Sequence, residues 1–80
     1  MITRKDLQAA AAEIEKKLDN MGYDIMVRHY TMYDGRIGYG FYYRLGGMKL
    51  FATGTGTNEL ILHHLHGYFK LITSNPEKYK

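Results

Sequence analysis

Apolar side chains recur at intervals of three and four residues over residues 3–21. This spacing places them on one face of an α-helix, which we predict over the whole segment. Thr3 can cap the first turn together with Asp6 in an approximate capping box, and Gly22 can adopt the left-handed conformation that ends a helix. The apolar face comprises Leu7, Ala10, Ala11, Ile14, Leu18 and Met21.

The pattern changes over residues 23–53, where β-branched and aromatic residues prevail. Two turn signals, Asp34-Gly35 and Gly46-Gly47, divide this segment into three parts. These features predict three antiparallel strands connected as a meander.

The length of each turn decides which side chains share a face of this sheet. A two-residue turn at Asp34-Gly35 would divide the apolar side chains between both faces, whereas a three-residue loop with a Gly35 bulge collects them on one. We predict the longer loop, followed by a two-residue turn at Gly46-Gly47. The resulting core face sets Ile25, Val27, His29 and Thr31 opposite Tyr43, Phe41, Tyr39 and Ile37, with Tyr43 beside Leu50 and Phe41 beside Ala52.

A second helix is predicted from Thr57 or Asn58, either of which can cap it, to about Thr73. Asn75-Pro76 prevents its continuation. Gly67 in its middle costs about 1 kcal/mol relative to alanine, which predicts close approach by a neighbour such as the alanines at residues 9–12. The predicted buried stripe is Ile61, Leu65, Tyr68 and Ile72.

These elements predict an α+β fold of the order helix, three-stranded antiparallel meander sheet, helix (αβββα), with both helices on one face of the sheet. A chain of 80 residues has room for one domain, which we place over residues 1–80 with the last few residues loose. No run approaches the roughly 18 apolar residues of a membrane span, and no signal-peptide pattern is present, so we expect a cytoplasmic protein without membrane contact. The absence of cysteine excludes disulfides and thiolate zinc sites.

The chain offers no residues arranged for catalysis, so we expect no enzyme. Ser74 lies past the second helix, no cysteine nucleophile exists, and the acids are scattered. His63 and His66 could share an ion, but only Glu59 is near enough to assist them. The glycine-rich segment before the second helix lacks the lysine and spacing of a P-loop. We predict neither a metal nor a cofactor.

The face of the sheet opposite the core carries an unusual set of aromatic and basic side chains. Tyr42 is predicted directly opposite Phe51, and Arg44 opposite Lys49, so that a basic strip adjoins an aromatic cluster. No acid lies within this set. The candidate partner-binding residues are Arg28, Tyr30, Tyr42, Arg44, Lys49 and Phe51.

Three interpretations of this face remain open. Its large side chains could simply cover the backbone, with Tyr30 leaning over the strand glycines. They could form an interface with a host protein or with a second copy in a homodimer, since interfaces are rich in aromatics, methionine and arginine. They could also stack the bases of single-stranded nucleic acid while the cations bind phosphates, which the net charge of +3 permits.

The order of elements resembles the double-stranded RNA-binding domain. That family places a lysine cluster at the start of its second helix, where this chain has Thr55-Gly56-Thr57-Asn58-Glu59, so its function is not carried over.

The chain also resembles small accessory proteins of bacteriophages and prophages, some of which inhibit host defences such as CRISPR systems. The resemblance lies in the size and in Tyr42-Tyr43-Arg44-Leu45, Phe51-Ala52-Thr53-Gly54-Thr55 and Leu65-His66-Gly67-Tyr68. It implies a non-enzymatic binding module, a phage-type inhibitor or adaptor that occludes a host protein through its sheet face. The alternative is a small nucleic-acid-binding protein.

Overall fold

A computed structural model describes all residues, 1–80, and confirms the first helix, α1 (Arg4–Asn20), with both of its predicted ends. The Thr3 hydroxyl accepts a hydrogen bond from the Asp6 amide at 3.2 Å, and the Asp6 carboxylate accepts one from the Thr3 amide at 2.9 Å. This completes the capping box. Gly22 has a φ of +92°, as the predicted stop requires. Met21, which was predicted to belong to the apolar face of this helix, is instead 44% exposed.

Three antiparallel strands follow in the order β1-β2-β3: β1 (Ile25–Thr31), β2 (Ile37–Tyr43) and β3 (Lys49–Ala52). The predicted register of β1 against β2 is confirmed along its whole length, from Ile25 opposite Tyr43 to Thr31 opposite Ile37.

The loop of this first hairpin is also the predicted one. The Gly35 amide donates to the Met32 carbonyl at 2.9 Å, and the Met32 amide donates to the Arg36 carbonyl at 2.7 Å. Three residues, 33–35, therefore lie between Met32 and Arg36, the last hydrogen-bonded pair of the hairpin. Gly35 has a φ of +90°, the left-handed conformation of a glycine bulge.

The second hairpin differs from the prediction. Its turn consists of four residues, 44–47, between Tyr43 and Met48, where the Tyr43 amide donates to the Met48 carbonyl at 2.9 Å; the prediction had the two glycines alone. Phe41 pairs with Phe51, one residue before its predicted partner, and Tyr42 pairs with Lys49. The predicted register of β2 against β3 is therefore wrong.

The longer turn shifts the register by two residues, and a β-bulge at Leu50, the extra residue between the two pairs, shifts it back by one. The bulge lets the consecutive side chains of Leu50 and Phe51 both pack against the core. Strict alternation of side chains forbids that, so an argument from parity alone could not find it.

The second helix, α2 (Asn58–Thr73), begins at Thr57, whose hydroxyl accepts from the Leu60 amide at 3.1 Å. Gly67 is exposed, and apart from adjacent residues and the nearby backbone of α2 no heavy atom lies within 4 Å of a Cβ built there. The predicted approach of residues 9–12 to Gly67 is therefore wrong, because α1 packs on another side of α2, beside Phe69. The predicted stripe is buried at Ile61, Leu65 and Ile72 and half-buried at Tyr68.

The last residues form a short helix, α3 (Pro76–Tyr79), where a loose end was expected. Pro76 starts the helix, where the N–H that it lacks would have no partner. The Tyr79 side chain is only 9% exposed, and its ring centroid lies 5.8 Å from that of Phe51. Packing of Tyr79 against the core is what orders this end of the chain.

Both helices pack on one face of the sheet, as predicted, and the core lies between them and the strands. No charged side chain is buried in it. Every helix falls short of the length and apolar character that a membrane crossing requires. The predicted core face of the sheet is buried at Ile25, Val27, Tyr39 and Phe41, half-buried at Ile37, Tyr43 and Leu50, and exposed at His29 and Thr31.

Candidate functional site

The face of the sheet that points away from the helices, hereafter the outer sheet face, carries five large side chains. Tyr42 lies at the centre of one cross-strand row, with Met26 of β1 on one side and Lys49 of β3 on the other. The next rows pair Arg28 with Gly40, and Tyr30 with Gly38. The outer sheet face thus consists of Met26, Arg28, Tyr30, Tyr42 and Lys49.

Two tyrosine rings lie over the glycines of β2. A Cβ built at Gly38 would lie 2.5 Å from the Tyr30 hydroxyl oxygen, and one at Gly40 would lie 2.5 Å from the Tyr42 hydroxyl oxygen. Atoms do not approach so closely, so only glycine leaves room for the rings. Both tyrosines are half-buried in this position. They cover the strand backbone, which is one of the three roles that the sequence left open for this face.

Phe51 does not belong to the outer sheet face, contrary to the prediction. The bulge in β3 turns its side chain toward the helices, where it stacks on Tyr68 of α2 with ring centroids 4.6 Å apart. The His64 ring also stacks on Tyr68, with ring centroids 6.1 Å apart. The predicted aromatic cluster is therefore reduced to Tyr30 and Tyr42, and Tyr42 faces Lys49.

Glu15 of α1 joins the two candidate arginines. Its carboxylate accepts hydrogen bonds from Arg28 through one oxygen and from Arg44 through the other, the latter at 3.0 Å. It also accepts a hydrogen bond from the Val27 amide at 2.7 Å. Because β1 is an edge strand, this carboxylate occupies part of the open side of the sheet.

Arg44 turns toward the end of α1 and away from Lys49, which it was predicted to face. Its guanidinium donates to both carboxylate oxygens of Asp19, at 2.6 and 3.0 Å, and to Asp24 at 3.4 Å. The hydrogen bonds to Asp19 and Glu15 raise the pKa of Arg44 above its ordinary value. Arg44 therefore acts as a link between α1 and the end of β2.

The same contacts set the ionisation of Glu15. Burial by itself raises the pKa of this carboxyl, but the hydrogen bonds from Val27, Arg28 and Arg44 together outweigh burial. The pKa of Glu15 lies below its usual 4.5 as a result. Glu15 and Asp19 are four residues apart on one side of α1, and this spacing of two acids is the signal that could have revealed the network in the sequence.

Lys49 is exposed and forms no ion pair. Among the cations predicted for this face, it alone lacks a carboxylate partner. The outer sheet face therefore presents two tyrosines held over the β2 glycines, a methionine and one unpaired positive charge.

Two other features of the sequence occupy different parts of the molecule. His63 and His64 lie side by side on α2 with ring centroids 5.6 Å apart. No group of three or more histidine, cysteine, aspartate or glutamate side chains is placed to hold a metal ion. An open groove of about 370 Å³ lies between α1 and α2, lined by Ala10, Glu13, Ile14, Lys17, His66 and Phe69.

Comparison with known protein families, characterised proteins and solved structures finds no match to this chain.

Proposed function

We propose that this chain is a non-enzymatic binding module that contacts another protein through its outer sheet face. The mode of action fits a phage-type inhibitor or adaptor that occludes a surface of a host protein. The observation that carries this proposal is the pair of tyrosines that lie over the β2 glycines, Tyr30 and Tyr42, beside arginines that already hold carboxylates of the same chain.

The ion pairs favour a protein partner over nucleic acid. A phosphate contact needs a cation that is free to bind it, and affinity for nucleic acid grows with the number of such cations. Arg28 and Arg44 are engaged by Glu15 and Asp19, so a phosphate would have to displace a carboxylate at both. Lys49 alone remains for a backbone contact.

The tyrosine rings are also suited to a protein contact because they are already held in place. Gly38 and Gly40 leave the space in which each ring lies, and the strand backbone supports it. A side chain that is fixed before binding loses little rotational freedom in the complex. Tyrosine, methionine and arginine are enriched in protein interfaces.

The proposal is tested by capture of partners from a nuclease-treated bacterial lysate with the immobilised chain. We expect a saturable protein partner whose capture persists in high salt and falls at least tenfold with Tyr42→Ser or Lys49→Glu. The matched controls are Tyr33→Ser at the exposed tip of the first hairpin and Lys16→Glu on α1. Both should capture the partner as well as the parent does.

Lys49→Glu guards against loss of the fold, because Lys49 is exposed and makes no ion pair. Capture that depends on nucleic acid and disappears steeply with salt would contradict the proposal and favour the nucleic-acid alternative. Capture that is unchanged in both outer-face variants would also contradict it.

A further inference from the structure

One side of α2 carries four residues that lie outside the core. Leu60, His64, Gly67 and Leu71 follow one another at intervals of four, three and four residues, so they form one stripe along the helix. We call this stripe the α2 seam. Leu60 and Leu71 are 48% and 42% exposed, although leucine is ordinarily buried. The groove toward α1 is lined by Phe69, on a different side of the helix.

Gly67 is the residue of the seam that the fold of a single chain does not explain. Glycine inside a helix is unfavourable relative to alanine. Apart from the adjacent residues and the nearby backbone of α2 itself, no atom of the chain lies within 4 Å of a Cβ built at this position, so no packing contact requires a glycine there. A glycine between exposed apolar side chains permits the close approach of another backbone.

The residues of the seam are arranged symmetrically about its midpoint. Leu60 and Leu71 are equally far from that point, and so are His64 and Gly67. We propose that two copies of this chain associate by antiparallel packing of their α2 seams about a two-fold axis through the midpoint. Leu60 then meets Leu71 of the second copy. The His64 ring lies over Gly67 of the second copy, and symmetry repeats both contacts.

The charges beside the seam match this arrangement. Glu59 and Lys70 lie on the same flank of the seam, and neither forms an ion pair within the chain. In the antiparallel pair, Glu59 of one copy lies within about 3 Å, along the helix axis, of the level of Lys70 of the other. Two ion pairs between copies result. A parallel pairing, with its two-fold axis along the helices, would instead place these residues of the two copies on opposite flanks of the seam, where the ion pairs could not form.

The dimer leaves the proposed binding surface free. The α2 helix lies on the opposite side of the sheet from Tyr30 and Tyr42, so each copy keeps an open outer sheet face. The association is thus independent of the proposed function, and its consequence is a module with two binding faces.

Sedimentation equilibrium of the full chain tests the dimer, and Gly67→Ala is the most informative variant. Added at a helix position with open space, the methyl group should raise the melting temperature of the monomer by roughly 4–8 °C. It should weaken dimerisation, since it separates the two helices. Gly67→Leu should weaken dimerisation further, with an association constant at least tenfold below that of the parent.

Charge exchange tests the orientation of the two helices. Glu59→Lys and Lys70→Glu should each weaken the dimer, because each sets like charges across the seam. The double variant should restore the parent affinity. Leu45→Glu, at an exposed site on the second hairpin, is the control and should change nothing.

Three results would overturn the proposal. The first is a parent chain that stays monomeric up to about 1 mM, a concentration at which even a weak dimer is populated. The second is a dimer that Gly67→Leu leaves intact. The third is a dimer that Glu59→Lys and the charge-exchanged double variant weaken equally.

Discussion

Phe51 shows how the position of one side chain changes its role. The sequence suggested a contact residue on the outer sheet face, but the ring stacks on Tyr68 and lies near Tyr79. Stacked aromatic pairs contribute about 0.5–1.5 kcal/mol beyond their burial. Phe51 therefore belongs to the packing that joins β3 to α2 and α3.

Phe51→Ala should accordingly destabilise the fold by about 2–4 kcal/mol through loss of burial and stacking. Urea denaturation followed by circular dichroism measures this. Leu45→Ala, at a side chain that is 86% exposed, should change the free energy of unfolding by less than about 0.5 kcal/mol. Equal effects of the two substitutions would show that Phe51 does not pack in the core.

Glu15 gives stability a dependence on pH. The pKa of Glu15 is lower in the folded chain than its usual 4.5. The stability that the ionised carboxylate gives to the fold is therefore fully present above pH 4.5 and is lost as pH falls through the folded pKa. Glu15→Gln should cost about 1–3 kcal/mol at neutral pH, because charged hydrogen bonds to Val27 and the arginines are weakened. The variant should also lose stability less steeply than the parent below about pH 4.5.

Urea midpoints measured from pH 7 to pH 3 test this prediction. Glu13→Gln is the matched control, since Glu13 is exposed and pairs only with Lys17. Its midpoints should follow those of the parent at every pH. A Glu15→Gln variant that does the same would show that the network does not stabilise the fold.

At the scale of elements, the features that were predicted correctly from the sequence are those that local contacts determine. The capping box at Thr3, the stop at Gly22 and the Gly35 bulge all depend on residues within a few positions, and all are present. The β3 bulge, and the identity of the arginine that binds the two acids spaced four residues apart on α1, could not be predicted in this way. They depend on packing between Phe51 and α2, and on contacts of Arg44 with α1, that are distant in sequence.

The two glycines beneath the tyrosines of the outer sheet face should respond differently to a methyl group. A Cβ at Gly38 would meet the Tyr30 ring and also the Gly54 carbonyl, at 2.8 Å, and backbone cannot easily move. The three atoms nearest to a Cβ at Gly40 all belong to the Tyr42 side chain, which can rotate away. Gly38→Ala should thus cost about 1–3 kcal/mol, and Gly40→Ala clearly less, in thermal or urea denaturation. The reverse order would contradict the placement of the rings.

For the whole molecule, the two sides of the sheet have separate roles in the proposed function. The helices complete the core on one side, and α1 also supplies the carboxylates that neutralise Arg28 and Arg44. On the other side, the surface is nearly uncharged and Lys49 is its single unpaired cation. Contact with a protein through that surface is the central claim.

Site-specific photo-crosslinking in bacterial cells tests this claim most directly. A benzophenone amino acid replaces Lys49, which is exposed on the outer sheet face, or Tyr33, which is exposed at the tip of the first hairpin. We predict a discrete, nuclease-resistant protein adduct from position 49 and little or none from position 33. Adducts only with nucleic acid at position 49, or a protein adduct only at position 33, would contradict the claim.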